Sequence, residues 1–135
     1  MISAITNRGA LAFMVFTGKF ANPVFIEFLQ RLIKHSATKV VLIVDGHPVH
    51  RSAAVRNFVA RHSDRLQLVI LPGYCPELNP DELLNQDVKT NALGKSRPTN
   101  KAELVGTVRA HLHRRQKQPQ VVRNLFREKH VRYAA

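Results

Sequence analysis

"KVVLIVDGHPVHRS", residues 39–52, is the stretch that decides the fold. Its unbroken apolar run over 40–44 predicts a β-strand buried on both faces, as in a sheet covered by helices. A second such run, "LQLVIL" at 66–71, follows a helix predicted over 51–62. Two strands joined through a helix are expected to be parallel, with a right-handed crossover.

The segments on the N-terminal side add a hairpin and a helix. Residues 2–6 and 10–16 are rich in β-forming residues and are separated by "NRG", which predicts a β-hairpin. Asn22 and Pro23 are interpreted as the N-cap and the first residue of a helix. The predicted buried stripe of that helix consists of Phe25, Phe28, Leu29, Leu32 and Ile33.

Three helices are predicted in the C-terminal half of the chain, over 80–92, over 101–116 and from Pro119. Asn100 is expected to cap the second of these helices, with Glu103 in its first turn. The polar segment "GKSRPTN" separates the first two helices. The order β-β-α-β-α-β-α-α, followed by the last short helix, therefore indicates an α/β layered domain.

The composition indicates one folded domain of 135 residues, of which 44% are hydrophobic. No apolar run approaches the roughly 20 residues that span a bilayer, and the N-terminus does not resemble a signal peptide. Cys75 is the single cysteine, which fits a reducing compartment. We therefore expect a cytoplasmic protein with no membrane partner.

The charge is strongly basic and unevenly distributed. The net charge is +12; residues 1–84 carry nine Lys/Arg and six Asp/Glu, whereas residues 85–135 carry twelve and three. A solvated protein face normally mixes positive and negative side chains. The excess of positive charge therefore favours nucleic acid as a partner. The part expected to bind it is the basic helical part, residues 95–135, together with the helix before it. Few aromatic residues lie there, which favours contact with duplex phosphates over base stacking. The residues expected to contact DNA are Lys89, Lys95, Arg97, Arg114, Arg115 and Lys117.

Two carboxylates are candidates for a metal site. Asp45 directly follows strand 40–44, and the loop carrying Glu82 leaves strand 66–71. Functional groups in open α/β sheets gather at the carboxyl ends of the strands. Carboxylates brought together there would suit a hard cation such as Mg²⁺. Alternatively, Asp45 stays solvated just beyond its strand.

Glu82 also has a structural interpretation. Asn79, Pro80 and Glu82 occupy the N-cap, N1 and N3 positions of a capping box. The two roles are compatible, because a rigid helix start is a good platform for a metal-binding carboxylate. Asp81 and Asp87 are interpreted as charges that interact with the helix dipole or lie on the surface.

The histidines allow a second metal hypothesis. His47 and His50 could form a zinc site with Asp45, but their spacing is short and no further strong N or S donor follows at a recognisable spacing. A histidine that orients Asp45 or touches a substrate phosphate is the favoured interpretation. His111 and His113 are assigned to the basic surface.

The stretch "LIVDGHPVHRS" at 42–52, followed by "LQLVILPGYCPELNPDELLNQDVK" at 66–89, resembles the second half of the catalytic domain of DDE transposases. The branch it is most similar to is the mariner-like one of bacterial insertion sequences. The resemblance covers nearly the whole chain. It implies a ribonuclease-H-like fold, a mixed sheet flanked by helices, in which three carboxylates bind two Mg²⁺ or Mn²⁺ ions that cut and rejoin DNA.

This resemblance assigns the second carboxylate to Asp45 and the third to Glu82. His50 matches the family's histidine, and Asn79 with Pro80 matches its helix-opening pair. The implied partners are transposon ends and target DNA, and the implied location is the nucleoid. Two-metal phosphoryl transfer is the implied mechanism.

The chain also departs from the family's pattern. The family's first carboxylate lies on a strand before the hairpin, where this sequence starts, and its N-terminal DNA-binding region has no counterpart here. We therefore interpret residues 1–135 as a partial catalytic domain that lacks the first catalytic strand, is inactive alone, and either self-associates or requires an N-terminal portion. The alternatives are a non-catalytic basic DNA-binding remnant and an unrelated α/β binding protein.

Overall fold

The computed structural model describes residues 1–73 and 75–135, and the chain divides into two compact units. The first unit comprises Met1–Val15 and Glu77–Ala135, and the second comprises Phe16–Pro76. Both units combine a small sheet with several helices. The predicted α/β class is therefore confirmed.

The first unit begins with the predicted hairpin. Strands β1 (Ile2–Ile5) and β2 (Leu11–Met14) pair antiparallel, with Ile2 opposite Met14 and Ile5 opposite Leu11. The turn between them requires glycine at position 9, where φ is 97°. A side chain on Gly9 would also collide with the backbone of Pro119.

The helix after the hairpin in this unit is longer than predicted. Helix α3 (Asp81–Asp87) continues through a π-helical segment, Val88–Leu93, into α4, Gly94–Ser96. The predicted polar break therefore starts as helix. The helix ends at Arg97, whose φ of 46° is left-handed and stops the hydrogen-bonding pattern.

The last two helices begin where the sequence predicts. Helix α5 covers Lys101–Gln116, and α6 covers Pro119–Leu125. The side-chain oxygen of Asn100 accepts the backbone N–H of Glu103 at 2.9 Å, which satisfies one free donor of the first turn. These predictions are confirmed.

An apolar cluster packs the elements of the first unit against one another. Its buried members come from β2, α3, the π-helical segment, α5 and α6: Leu11, Leu84, Val88, Ala92, Val108, Leu112 and Val122. Because Leu84 in the first turns of α3 is 1% exposed, the start of that helix is fixed against the rest of the unit. None of the helices in the described ranges has the length and apolar character that crossing a membrane requires.

The second unit contains α1 (Asn22–His35), β3 (Val40–Val44), α2 (Ala53–Arg61) and β4 (Leu66–Ile70). Strands β3 and β4 pair in parallel and in register from Val40–Leu66 to Val44–Ile70. The predicted parallel pair is therefore confirmed.

The N-cap of α1 is not the predicted one. Ala21 occupies the cap position in extended conformation, and its carbonyl oxygen accepts the N–H groups of Val24 and Phe25. Asn22 is already the first helical residue. The prediction was wrong by one residue, because the proline after Asn22 is tolerated at either of the first two helical positions.

The burial predicted for strand β3 is also wrong. Val41 is 58% exposed and Ile43 is 44% exposed, whereas Val44 on the opposite face is buried. Within the described residues, one face of the β3–β4 pair is covered and the alternate positions on the other face are exposed. The two hydrogen-bonded pairs, β1–β2 and β3–β4, form separate sheets within the described residues, so the predicted single mixed sheet is not confirmed.

Candidate functional site

The loop after β3 is organised around the side chain of Asp45. Its Oδ1 accepts the backbone N–H of His47 at 3.0 Å, which turns the chain sharply at the end of the strand. A 3₁₀ turn, Pro48–Arg51, follows and returns the chain towards the strand end. The Asp45 side chain remains 42% exposed. This carboxylate is therefore fixed in place and still open to solvent.

His50 supports this carboxylate from below the surface. Its Nδ1 lies 3.0 Å from the carbonyl oxygen of Asp45 and 3.1 Å from Oδ1 of the same residue. Both oxygens act only as acceptors, so Nδ1 carries the ring proton. The His50 side chain is 11% exposed, and its ring lies 4.6 Å from the ring of Phe25 and 5.8 Å from that of Phe20. The aromatic packing fixes the imidazole, and the imidazole fixes Asp45.

These bonds leave the second carboxylate oxygen of Asp45 unused. Among the described residues, Oδ2 accepts no hydrogen bond and forms no ion pair. An oxygen of this type, on a carboxylate oriented through its other oxygen, is a suitable ligand for Mg²⁺ or Mn²⁺.

His47 has a different arrangement from His50. Its Nδ1 accepts the backbone N–H of Val49 at 3.1 Å, so in the neutral ring Nε2 carries the proton. In this tautomer Nε2 has no free lone pair for a metal. Across 1–73 and 75–135, no three side chains of His, Cys, Asp and Glu are grouped so that they could hold a metal ion. The zinc set of Asp45, His47 and His50 is therefore not assembled.

Glu82 lies in the first turn of α3 and is exposed. The side-chain oxygen of Asn79 accepts the backbone N–H of Asp81 at 3.0 Å, and the N–H of Glu82 bonds to the carbonyl oxygen of Asn79 at 3.1 Å. The carboxylate of Asp81 accepts the hydroxyl of Ser3 on β1, at 2.7 Å to its nearer oxygen. Asp81 is thus tied to the hairpin, whereas Glu82 presents its side chain to solvent.

Asp45 belongs to the second unit and Glu82 to the first. Their predicted meeting at one metal site stays a prediction. The tyrosine of the motif around them, residue 74, lies outside the described residues.

Five of the six residues predicted to contact DNA are exposed: Lys89, Lys95, Arg97, Arg114 and Lys117. Arg115, the sixth, is half-buried, and its guanidinium already donates hydrogen bonds within the protein. Its Nε and Nη2 donate to the carboxylate of Asp87 at 2.8 and 2.9 Å, and its Nη1 donates to Gln118 at 2.7 Å. The prediction that these six residues contact DNA stays a prediction, and in Arg115 the guanidinium is already engaged within the first unit.

Sequence reasoning missed this internal ion pair. Asp87 was predicted to be a surface charge and His111 part of the basic surface; both predictions are wrong. The Asp87 side chain is 15% exposed, and it also accepts His111 Nε2 at 2.8 Å and Asn91 Nδ2 at 2.8 Å. The hydrogen bonds from Arg115 outweigh burial and hold the pKa of Asp87 far below its usual range. The same bonds raise the pKa of Arg115.

The family follows from a comparison with known protein families. The family model of DDE superfamily endonucleases matches residues 1–105, which include both Asp45 and Glu82. The chain belongs to this family. A search of curated proteins found no significant match. The family-level part of the resemblance is confirmed, whereas the mariner-like branch and the link to bacterial insertion sequences stay predictions.

Proposed function

We propose that this chain supplies two metal-binding carboxylates, Asp45 and Glu82, to a DDE transposase that cleaves DNA and transfers the cut strand. One observation carries the proposal: the match to DDE superfamily endonucleases extends over residues 1–105 and covers both carboxylates. Within that family we assign the chain to the mariner-like branch of bacterial insertion sequences, on the motifs at 42–52 and 66–89.

The chemistry of both residues fits a divalent cation. Asp45 offers an oxygen that accepts no hydrogen bond from the described residues, and Glu82 offers an exposed carboxylate at a helix start. Hard oxygen donors of this kind suit Mg²⁺ and Mn²⁺. When bound, two such ions activate the attacking oxygen and stabilise the leaving oxygen of a phosphodiester.

The contribution of the chain itself is positioning. His50 orients Asp45 through Nδ1, and the Phe20 and Phe25 rings restrain His50. Asn79 braces the start of α3, which carries Glu82. Preorganised ligands of this type lose little conformational freedom when a metal binds.

In this proposal the two sheets are parts of one ribonuclease-H-like mixed sheet in the complete catalytic domain. The 135 residues supply two of the three carboxylates that the family mechanism uses. The isolated chain is therefore inactive in strand transfer, and a further polypeptide segment must supply the first carboxylate. The substrates are transposon ends and target DNA, and the chain acts at the nucleoid.

Metal binding gives the first test. We expect isothermal titration to show Mn²⁺ binding by the wild type and its loss or strong weakening in Asp45→Ala and Glu82→Ala. Asp64→Ala and Glu77→Ala are matched controls, because both residues are exposed carboxylates and neither is assigned to the site. Equal Mn²⁺ binding by all five proteins would remove the metal site from the proposal.

Cleavage gives the second test. The purified chain is incubated with transposon-end DNA and Mn²⁺, with and without a polypeptide that carries the first catalytic strand. We expect nicking only in the supplemented reaction, and none there with Asp45→Ala. Nicking by the chain alone at the supplemented rate would contradict the proposed inactivity.

A second candidate function is a non-catalytic DNA-binding protein. The exposed basic residues within 85–135, a stretch that carries twelve Lys/Arg against three acids, favour it. This function requires tight, salt-dependent binding of duplex DNA by both the wild type and Asp45→Ala. DNA binding without any cleavage, even in the supplemented reaction, would favour it over the enzyme.

A further inference from the structure

The turn after Asp45 directs two consecutive side chains back to the end of β3. Within Pro48–Arg51, the N–H of His50 bonds to the carbonyl oxygen of His47 at 2.9 Å. The N–H of Ser52 bonds to the carbonyl oxygen of Val49 at 3.3 Å. His50 thereby reaches Asp45. Arg51, the next residue, reaches Gly46.

The guanidinium of Arg51 lies at the carboxyl ends of both strands of the second unit. A methyl group built on Gly46 would lie 3.1 Å from Nη2 of Arg51 and 3.6 Å from the carbonyl oxygen of Gly73. Gly46 follows β3 and Gly73 follows β4. The guanidinium therefore occupies the space that a side chain at position 46 would fill, one residue away from Asp45.

Within the described residues, no carboxylate forms an ion pair with this guanidinium. Among residues 1–73 and 75–135, Arg51 forms no ion pair and no side-chain hydrogen bond, and it is exposed. Two arginines in the described part of the chain are paired with a carboxylate, Arg31 with Glu27 at 2.7 Å and Arg115 with Asp87 at 2.8 Å. The turn thus places a cation next to the Asp45 loop without pairing it to Asp45.

A cation beside a metal-binding carboxylate repels the metal, unless an anion lies between the two positive charges. A phosphodiester meets this requirement, because it has two non-bridging oxygens that carry negative charge. The planar guanidinium can donate two parallel hydrogen bonds to such oxygens. One phosphodiester can then face both Arg51 and a metal held by Asp45.

We propose that Arg51 binds a backbone phosphate of the DNA strand that lies at the Asp45 carboxylate. This inference rests on the proposed function for its substrate class, DNA. It adds a substrate-binding residue in the second unit, separate from the basic residues of the C-terminal half. Gly46 has a defined part in it, because the absent side chain leaves room for the guanidinium.

The test measures binding of a short DNA duplex by fluorescence anisotropy over a series of salt concentrations, with Ca²⁺ and with EDTA. We expect Arg51→Ala to weaken binding in Ca²⁺ about tenfold, the effect of losing one charged hydrogen-bonded contact. The slope of log K against log salt should fall by about 0.9 for one lost phosphate contact. Arg51→Lys should keep the salt slope and lose part of the affinity for DNA. Lysine keeps the positive charge but lacks the two parallel hydrogen-bond donors of the guanidinium.

Arg56→Ala is the matched control, since Arg56 is an exposed arginine of the same unit and its loss changes the net charge equally. Gly46→Ala is an independent variant that leaves Arg51 intact. The methyl group meets mainly the end of the Arg51 side chain, and it should displace the guanidinium and weaken DNA binding, by less than Arg51→Ala. Circular dichroism checks that each variant is folded.

Equal affinity and equal salt slope for Arg51→Ala and Arg56→Ala would overturn the inference. If that result accompanies loss of Mn²⁺ binding in Asp45→Ala, the inference fails and the proposed function stands. If Asp45→Ala binds Mn²⁺ like the wild type but Arg51→Ala selectively weakens DNA binding, the phosphate contact stands and the proposed metal site fails.

Discussion

Asp87 in the first unit and Asp45 in the second each interact with a histidine, yet their remaining contacts differ. Asp87 accepts hydrogen bonds on both oxygens, from Arg115, His111 and Asn91, and is largely buried. Asp45 uses one oxygen for His47 and His50, and its other oxygen accepts no hydrogen bond in the part of the chain that the structure describes. Its side chain is 42% exposed. A saturated carboxylate stabilises a fold, whereas a fixed and unsaturated one is suited to a ligand.

The largest expected effect comes from breaking the saturated site. Asp87→Asn removes the charge that pairs with Arg115 and leaves this partly buried guanidinium without its anion. We expect the free energy of unfolding to fall by about 2 to 3 kcal/mol, measured by urea titration. Asp64→Asn, at an exposed carboxylate, should change it by less than about 0.5 kcal/mol. Equal stability of the two variants would show that the Asp87 contacts contribute little.

The same site predicts a pH dependence. The pKa of Asp87 is lowered in the folded protein, chiefly by hydrogen bonds from Arg115. The ionised carboxylate therefore stabilises the fold fully above the pKa of Asp87 in the unfolded chain, near 4. This contribution is lost as the pH falls below that value. The stability difference between the wild type and Asp87→Asn should therefore be constant near neutral pH and should shrink in acid. Unfolding free energies measured from neutral pH down to about pH 3 test this. A difference that grows in acid would contradict it.

These two aspartates also mark what could be predicted from the sequence. The turn at Asp45 depends on residues within five positions along the chain. The strands, the hairpin and the starts of the helices at Asn100 and Pro119 also depend on neighbouring residues in the sequence. The Asp87 contacts join residues 24 and 28 positions apart, and no pattern in the sequence indicates them. The exposure of Val41 likewise depends on which strands and helices assemble around β3, which its apolar run does not specify.

A smaller effect is expected from loosening the open carboxylate without removing it. In His50→Ala, Asp45 keeps the bond from the backbone N–H of His47 and loses the one from the imidazole. We expect Mn²⁺ affinity to fall about tenfold in isothermal titration, as is typical for residues that orient a metal ligand. His62→Ala is the control, because His62 is bonded to the carbonyl oxygen of Phe58 in the same unit.

A double-variant cycle separates positioning from a general loss of structure. If His50 acts through Asp45, His50→Ala should have no further effect on Mn²⁺ binding once Asp45→Ala is present. An unchanged Mn²⁺ affinity in His50→Ala alone would mean that the backbone bond to Asp45 is sufficient. Equal losses in His50→Ala and His62→Ala would indicate that the unit has been destabilised as a whole.

The smallest expected effect gives the sharpest contrast with Asp87. Asp45→Asn removes the negative charge but keeps an acceptor oxygen for His47 and His50. Within the described residues, Asp45 is not in an ion pair with any arginine or lysine, so this substitution leaves no such cation without its anion. The free energy of unfolding should change by less than about 0.5 kcal/mol, although Mn²⁺ binding should be lost. A carboxylate that can be neutralised without loss of stability, but not without loss of metal, is maintained for its ligand. A loss of stability as large as that of Asp87→Asn would instead assign Asp45 to the fold, and the metal hypothesis would then rest on Glu82 alone.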